Sequence, residues 1–381
     1  MFEKRIKVVF IVLFLGMIAI PLFKTNFKGG DVSESEKRKL ASFPKLYNED
    51  GKINTLYSSD FETWFNDNIG FRSEIVSINA NIQYYGFDVL AKNSDMYIGP
   101  NGELKYATPD ILCSFQLNDL KDDILLSRLS EGFQYADDYL SERDIQFYYY
   151  QCWDKQSIYP EQFPKTVLQH GEISKTDQIV ETLENRTSVN VISPKQSLIE
   201  GKIIYDTYSA WGDPTHWTPR GAYIGYLELM DSINSENNNE YYTLQESDYI
   251  ITEKDLGSTL FGGIHEECMI ESFEIKEPKA KLTNEKLTLY GGINGHSFYT
   301  NDEVDNDTRI LIIGDSYFDS FLLDDIAESF HETILIWGDY ANDFEAIIEE
   351  YNPDIVVVEN AERCDRTDMF AGTMLIKKKQ Q

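Results

Sequence analysis

The sequence predicts an α/β fold in which helices cover both faces of a parallel sheet. Short apolar runs at 309–313, 333–337 and 354–358 alternate with segments of helical periodicity. The same rhythm starts earlier, where a strand-like run at 145–150 follows a helical pattern over 117–140. Apolar strands separated by helices are typical of a parallel sheet that is buried on both sides.

The N-terminus has the pattern of a membrane-targeting segment. Lys4, Arg5 and Lys7 precede an apolar run from Val8 to Phe23, and neither a small-residue cleavage motif nor a lipobox cysteine follows. This pattern predicts an uncleaved signal-anchor over 1–28 that places the rest of the chain outside the cytoplasm, at the cell membrane. The alternative is a cleaved secretory signal.

The remaining chain divides by composition and periodicity. A polar stem leads into a helical pattern that runs from Phe61 to about Tyr85, and a hairpin-like segment follows at 96–102. Within the α/β region, Thr218-Pro219 is a strong helix start. The predicted segments are an anchor (1–28), a stem with helical segment (29–90), a catalytic domain (91–370) with an insertion or lid (233–305), and a tail (371–381).

Charge and cysteine content exclude two classes of site. Acidic residues outnumber basic ones 65 to 34, and the net charge of -31 argues against binding nucleic acid or anionic lipid through a basic surface. A neutral or cationic partner is easier to accommodate. The four cysteines are widely spread, without metal-ligand spacing, so a zinc site is not predicted. Disulfides and buried free thiols both remain open.

Two motifs supply the side chains of a serine nucleophile triad. Gly314-Asp315-Ser316 directly follows the apolar run at 309–313, and Asp213-Pro-Thr-His216 lies about a hundred residues earlier. A serine hydroxyl becomes a good nucleophile when a histidine takes its proton and a carboxylate fixes the histidine tautomer. The sequence therefore predicts Ser316 as nucleophile, His216 as base and Asp213 as its orienting carboxylate.

Neighbouring polar and aromatic residues have structural alternatives. Asp315 is expected to bond local backbone amides, and Trp217 is either a sugar-stacking residue or part of the core. The acidic run 302–307 favours a solvated loop over a calcium site. His265 and His296 lie in the predicted lid without a catalytic context.

These motifs resemble two blocks of the SGNH hydrolases, in permuted order because the histidine block precedes the serine block. That order resembles the AlgX/AlgJ-like (DHHW) branch of extracytoplasmic polysaccharide O-acetyltransferases. Further segments carry the same resemblance over most of the chain after residue 33: 36–44, 61–72, Asp154-Lys155 through Pro160, Thr215 through Ala222, and Asn352 through Arg363. The resemblance implies an SGNH-hydrolase-like, flavodoxin-like sheet with a circularly permuted motif order and a membrane-anchored, AlgJ-like architecture.

The resemblance also implies roles for strand-end residues. Asn360 matches the asparagine that helps form the oxyanion hole, with Gly314 and Trp217 as further binding candidates. An equally weighted alternative is that Asn360 is a polar strand-end residue bonded to a loop backbone. The chain departs from the family in one respect: Asp213 lies three residues before His216 instead of two, so Asp206 is a weaker substitute for the orienting role.

The function that this resemblance implies is acetylation of an exported polysaccharide through an acetyl-serine intermediate. No metal or diffusible cofactor is needed, and the acetyl group would come from a membrane-bound O-acyltransferase-type partner. One alternative is a carbohydrate esterase, which uses the same triad with water as acceptor. The other is a non-catalytic polysaccharide-binding or assembly protein.

Overall fold

The structure is a computed structural model that describes residues 2–33, 38–48, 50–87, 90, 95–163, 165–236, 241–257, 264 and 266–380. The chain divides into two compact units. The first comprises 1–94 with 258–266, and the second comprises 95–257 with 267–381. His265, predicted to lie in the lid, is outside the described residues.

The first unit is mainly helical. Its elements are α1 (Phe2–Phe23), β1 (Val32–Ser33), β2 (Arg38–Lys39), α2 (Tyr57–Asn68) and α3 (Arg72–Phe87). Trp64 of α2 is buried against the rings of Phe27, Phe43 and Phe61. The helical pattern predicted from Phe61 to Tyr85 is interrupted, because Phe71 adopts a left-handed backbone with φ of 61° between the two helices.

The apolar N-terminal run does form a helix, α1. Among the residues that the structure describes, however, no helix has both the length and the apolar character needed to cross a membrane. The predicted membrane-spanning anchor is therefore not supported.

The second unit contains a seven-stranded sheet with the order β6-β5-β13-β11-β12-β10-β9. Five adjacent strands, from β6 to β12, are parallel. β10 pairs antiparallel with β12 on one side and with β9 on the other. The sheet strands are β5 (Gln146–Cys152), β6 (Asn190–Ile192), β9 (Lys281–Leu282), β10 (Ser297–Thr300), β11 (Arg309–Gly314), β12 (Glu332–Trp337) and β13 (Ile355–Ala361). Two hairpin pairs accompany it: β3 (Met96–Ile98) with β4 (Leu104–Tyr106), and β7 (Tyr249–Asp255) with β8 (Met269–Ile275).

The helices of this unit are α4 (Pro109–Phe115), α5 (Asp123–Ser141), α6 (Lys155–Ile158), α7 (Lys175–Arg186), α8 (Lys195–Gly201), α9 (Pro219–Glu236), α10 (Ser316–Asp319), α11 (Leu323–Ala327), α12 (Phe344–Tyr351) and α13 (Thr367–Lys378). Successive residues of a strand lie on opposite faces of the sheet, and each face packs in its own hydrophobic core. Ile310 and Ile312 of β11 pack with α9 and α11 in one core, while Leu311 and Ile313 pack with α5, α12 and α13 in the other. The α/β fold with a sheet buried on both faces is thus confirmed.

The sheet differs from the prediction at one edge. Residues 281–300, inside the segment predicted as an insertion or lid, contribute β9 and β10 as two antiparallel strands. Their runs are short, so the sequence pattern does not reveal their pairing. The parallel strands, in contrast, all end on one side: Gly314 pairs with Trp337, and Ile313 pairs with Val358. Residues that follow β5, β11 and β13 consequently meet at one edge.

The four cysteines are all among the described residues, and all are free thiols. Cys152, at the end of β5, is fully buried, and burial raises its pKa well above the usual value. The open choice between disulfides and free thiols is therefore resolved in favour of thiols in this structure.

Candidate active site

The turn that presents Ser316 is built by its neighbours. Asp315 is buried at the end of β11, and its carboxylate caps α10 by accepting a hydrogen bond from the Tyr317 amide at 3.1 Å. The Asp315 amide in turn donates to the Glu359 carboxylate at 2.7 Å. A Cβ on Gly314 would lie only 3.0 Å from that carboxylate, so this position favours glycine. Asp315 thus bonds local backbone, as predicted from the sequence.

Ser316 lies next to His216, a hundred residues earlier in the chain. The Ser316 Oγ is 2.8 Å from the His216 Nε2, and the His216 Nδ1 is 2.9 Å from the Asp213 Oδ2. The three side chains therefore form a continuous hydrogen-bonded chain. Both His216 and Asp213 retain some solvent access, at 19% and 30% side-chain exposure, so the site is open to a ligand.

Asp213 reaches His216 because its loop folds back on itself. The second carboxylate oxygen, Oδ1, accepts hydrogen bonds from the amides of Thr215 at 2.8 Å and His216 at 3.0 Å. Burial disfavours the carboxylate, but these bonds and the contact with His216 hold the pKa of Asp213 well below its usual range. The three-residue spacing is therefore compatible with an orienting carboxylate. Asp206 is the weaker substitute for the orienting role, and its backbone carbonyl accepts a hydrogen bond from the Thr218 hydroxyl at 2.5 Å.

Arg363 is a site residue that sequence reasoning missed. Its Nη2 lies 3.0 Å from the His216 Nε2, and its Nη1 forms an ion pair with the Asp154 carboxylate. Because a guanidinium can only donate, His216 Nε2 must accept, and the ring proton is therefore assigned to Nδ1, facing Asp213. In this tautomer the single Nε2 lone pair is shared between the Ser316 hydroxyl, at 2.8 Å, and the Arg363 Nη2, at 3.0 Å. The signal available in the sequence was a charged pair, Glu362-Arg363, directly after a buried strand.

Behind Ser316 lies a buried polar cluster. The Tyr317 hydroxyl is 2.8 Å from both the Asp154 carboxylate and the Thr215 carbonyl oxygen, and burial raises its pKa well above the usual value. The Asp154 amide donates to Glu362 at 2.9 Å. Burial, followed by repulsion from Asp154, raises the pKa of Glu362 to about 7. These contacts fix the residues flanking Ser316 and His216 relative to the ends of β5 and β13.

Two of the three binding candidates, Asn360 and Trp217, occupy structural positions. Asn360 is buried, and its side chain donates to Gln151 at 3.2 Å and accepts from the Arg366 amide at 2.8 Å. These contacts match the alternative of a strand-end residue bonded to a loop backbone, and an oxyanion role for Asn360 stays a prediction. Trp217 is 1% exposed and packs edge-on against Tyr317 with ring centroids 5.0 Å apart. Its ring belongs to the core and does not face solvent.

No protein-family model matches the chain, and no curated protein is similar to its sequence. Solved structures do resemble it. PatB1 of Bacillus cereus is 14% identical and covers 72% of this chain and 98% of its own, with a TM-score of 0.55. The same protein with a sulfonyl adduct is 15% identical, with equal coverage and a TM-score of 0.54.

The O-acetyltransferase domain of Pseudomonas putida AlgJ is 13% identical and covers 72% of this chain and 92% of its own, with a TM-score of 0.45. At these identities, similarity is evidence of fold alone, and it is the PatB1 comparison that carries it. The AlgJ domain carries the name of the AlgX/AlgJ-like family that the sequence motifs resemble, and for this chain the comparisons show the fold.

Proposed function

We propose that this protein is an O-acetyltransferase that modifies an exported polysaccharide through an acetyl-serine intermediate. The observation that carries the proposal is the continuous chain Ser316–His216–Asp213, with contacts of 2.8 and 2.9 Å and a tautomer in which Nε2 is the hydrogen-bond acceptor that faces Ser316. This is the arrangement that acyl transfer through serine requires. The motif resemblance to the AlgX/AlgJ-like branch supports acetyl as the acyl group.

The proposed reaction has two matched halves. The Ser316 Oγ attacks the carbonyl carbon of an acetyl donor while His216 Nε2 takes the hydroxyl proton. The tetrahedral intermediate then collapses, the donor oxygen leaves with that proton, and Ser316 carries the acetyl group. In the second half a sugar hydroxyl loses its proton to His216 and its oxygen attacks the acetyl carbon. The bond from the acetyl carbon to the Ser316 Oγ then breaks, and the Oγ takes that proton from His216, which restores the free serine and the neutral histidine. Asp213 orients His216 and stabilises its protonated form in both halves.

Arg363 has a second role in this scheme. Each tetrahedral intermediate carries a negative oxygen, and a fixed donor near that oxygen lowers the barrier. The Arg363 guanidinium is 15% exposed and is held by Asp154, so its positive charge stays beside the reacting atoms. When His216 Nε2 takes the serine proton it can no longer accept from Arg363 Nη2, which then becomes available to the negative oxygen. The Ser316 backbone amide, at the start of α10, is the second proposed donor.

The acceptor and the acetyl donor follow from charge and location. The net charge of -31 favours a neutral or cationic polysaccharide over an anionic one. We place the catalytic unit outside the cytoplasm, where a membrane-bound O-acyltransferase-type partner would deliver the acetyl group. Both statements extend the sequence predictions and are part of the proposal.

Transfer and hydrolysis are separated by one assay. The full chain is incubated with 4-nitrophenyl acetate, with and without neutral and amine-bearing oligosaccharides. Ser316→Ala and His216→Ala are the test variants, and Ser320→Ala, an exposed serine four residues away, is the control. Nitrophenol release that is lost only in the test variants, with acetylated sugar detected by mass spectrometry, supports the transferase. Release without acetylated sugar supports the esterase, and no release above that of the variants would refute both.

A further inference from the structure

Two lysine side chains are buried beside the loop that carries Asp213. Lys105 on β4 and Lys155 on α6 are each 1% exposed. Burying an ammonium is costly unless polar groups replace its water, so a fully buried lysine calls for a physical reason. Their contacts differ sharply and suggest different roles.

The Lys155 ammonium is surrounded by backbone carbonyl oxygens. Its Nζ donates to the carbonyls of Ser209 at 2.6 Å and Leu104 at 2.8 Å, and lies 3.5 Å from that of Ala210. The Leu104 amide also donates to the Ala210 carbonyl at 2.8 Å. One ammonium therefore joins β4, α6 and the start of the Asp213 loop.

Ser209 extends this connection to the triad. The Ser209 hydroxyl donates to the Asp213 carbonyl at 2.9 Å, and the Asp213 amide lies 3.4 Å from the Ser209 Oγ. The Ser209 hydroxyl thus holds both the carbonyl and the amide of Asp213. The Ser209 backbone carbonyl is in turn held by Lys155. The Asp213 carboxylate then contacts His216 at 2.9 Å.

The residue before Lys155 acts on the opposite side of the site. Asp154 accepts from Tyr317, the neighbour of the nucleophile, and pairs with Arg363, which contacts His216 Nε2. Consecutive residues at the end of β5 therefore hold the two flanks of the triad. Asp154 fixes the nucleophile side, and Lys155 fixes the carboxylate side.

We infer that Lys155 is a positioning residue that holds the Asp213 loop in register with His216. The inference rests on the proposed function, since it assigns Lys155 to the geometry of the same reaction. A displacement of about 1 Å in a catalytic group can cost about a hundredfold in rate, so one anchoring ammonium can matter at a distance.

Lys105 provides a matched control. Its Nζ is 3.5 Å from the Tyr159 carbonyl and lies over the rings of Tyr159 and Phe163, and none of these contacts leads to Asp213. Burial, followed by repulsion from Lys155, lowers the pKa of Lys105 to about 6, whereas burial lowers the pKa of Lys155 to about 8. Lys155 is also the lysine whose Nζ has close carbonyl acceptors for its protons, at 2.6 and 2.8 Å.

The test compares Lys155→Met, Lys105→Met and Ser209→Ala in the full chain. The first reading is the acylation rate constant and KM with 4-nitrophenyl acetate. The second is the low-field proton resonance of the His216 Nδ1–H, which reports its hydrogen bond to Asp213 and needs no turnover. We expect Lys155→Met to lower the rate constant by about tenfold to a hundredfold with KM nearly unchanged, and to shift or remove the resonance.

Ser209→Ala breaks the same connection without removing a buried charge, so it decides the question if Lys155→Met does not fold. We expect it to lower acylation by about tenfold. Lys105→Met should leave the acylation rate constant and the His216 Nδ1–H resonance as they are in the wild type. Wild-type rate and resonance in Ser209→Ala and in any folded Lys155→Met would overturn the inference, as would equal losses in Lys105→Met. If the wild type forms no acyl-enzyme, the proposed function fails, but the resonance still tests the positioning.

Discussion

The two edges of the central sheet use polar side chains in different ways. At the amino edge, a cleft of about 1200 Å³ is lined by residues from 241–248, 275–279 and 301–308. Three of its polar side chains bond to backbone: Glu328 accepts from the Lys279 amide at 2.9 Å, Asn301 donates to the Glu328 carbonyl at 3.3 Å, and Asn306 donates to the Ser329 carbonyl at 3.1 Å. Such bonds fix loops.

At the carboxyl edge, side chains bond to one another. Ser316, His216 and Asp213 form a chain, and Arg363 joins His216 to Asp154. Side chains that bond to each other share protons and charge, which is what acid–base chemistry needs. This cleft thus lies at the amino edge, whereas the candidate catalytic side chains lie at the carboxyl edge. In this protein, the bonding pattern identifies the candidate site better than cleft volume does.

The largest loss of activity is expected when the hydrogen-bonded chain Ser316–His216–Asp213 at the carboxyl edge is broken. Asp213→Asn removes the charge that stabilises protonated His216 and disturbs its tautomer, so we expect acylation by 4-nitrophenyl acetate to fall about a thousandfold or more. Asp307→Asn, which removes a carboxylate at the amino edge, should leave the rate unchanged. Stopped-flow measurement of nitrophenol release checks both. An Asp213→Asn rate near that of the wild type would show that His216 works without this carboxylate.

A smaller loss is expected at Arg363. Arg363→Met removes a donor beside the reacting oxygen, and we expect acylation to fall about a hundredfold. Arg363→Lys should restore little of the acylation rate, because a single ammonium cannot contact Asp154 and His216 at the same time as the two guanidinium nitrogens do. Arg309, which pairs with Glu332 at the amino edge, is the matched arginine. Equal losses in Arg363→Met and Arg309→Met would indicate a general loss of structure instead.

Glu359 lies behind the nucleophile turn and should affect stability more than chemistry. Burial, followed by repulsion from Asp315, raises its pKa well above the usual value. The folded state therefore binds more protons than the unfolded state, and this group makes wild-type stability decrease as the pH rises above about 4.3. Glu359→Gln should remove that decrease. Glu359→Ala leaves the Asp315 amide without its hydrogen-bond acceptor and should lower the free energy of unfolding by about 1–3 kcal/mol.

Urea unfolding of these two variants between acidic and neutral pH measures the effect. The Gln variant should gain stability relative to the wild type as the pH rises, with acylation within about twofold because it keeps the shape of a neutral carboxyl group. A relative gain that shrinks with rising pH would contradict the assignment of a protonated Glu359.

The smallest effect is expected at the amino-edge cleft. Tyr242 lines it with 56% of its surface exposed, and its hydroxyl bonds to Asp248 at 2.7 Å. The six residues of β11 separate the two edges by roughly 20 Å at about 3.3 Å per residue. Tyr242→Ala should therefore change acylation of a small ester by less than about twofold. A tenfold loss would mean that the two edges are coupled.

Much of this arrangement could be predicted from local sequence. The apolar runs of β11, β12 and β13 and the turn at Gly314 are short-range patterns, and so are the helix start at Pro219 and the Asp213–His216 spacing. The contact of Arg363 with His216 is different, because it depends on β13 lying between β5 and β11. Sheet order is set by the packing of the whole unit, so no local pattern could place Arg363, Asp154 or Lys155 at the site. The same reason explains why the sequence predicts a lid where the structure has β9 and β10.

The most direct test of the central claim is to identify the acylated residue. The full chain is treated with 4-nitrophenyl acetate, or with phenylmethanesulfonyl fluoride as a second serine reagent, then quenched in acid, digested and mapped by mass spectrometry. We predict one acetyl or sulfonyl group on Ser316, absent from Ser316→Ala and from protein denatured before treatment. Modification at another residue, or equal labelling of Ser316→Ala, would contradict the assignment of Ser316 as the nucleophile.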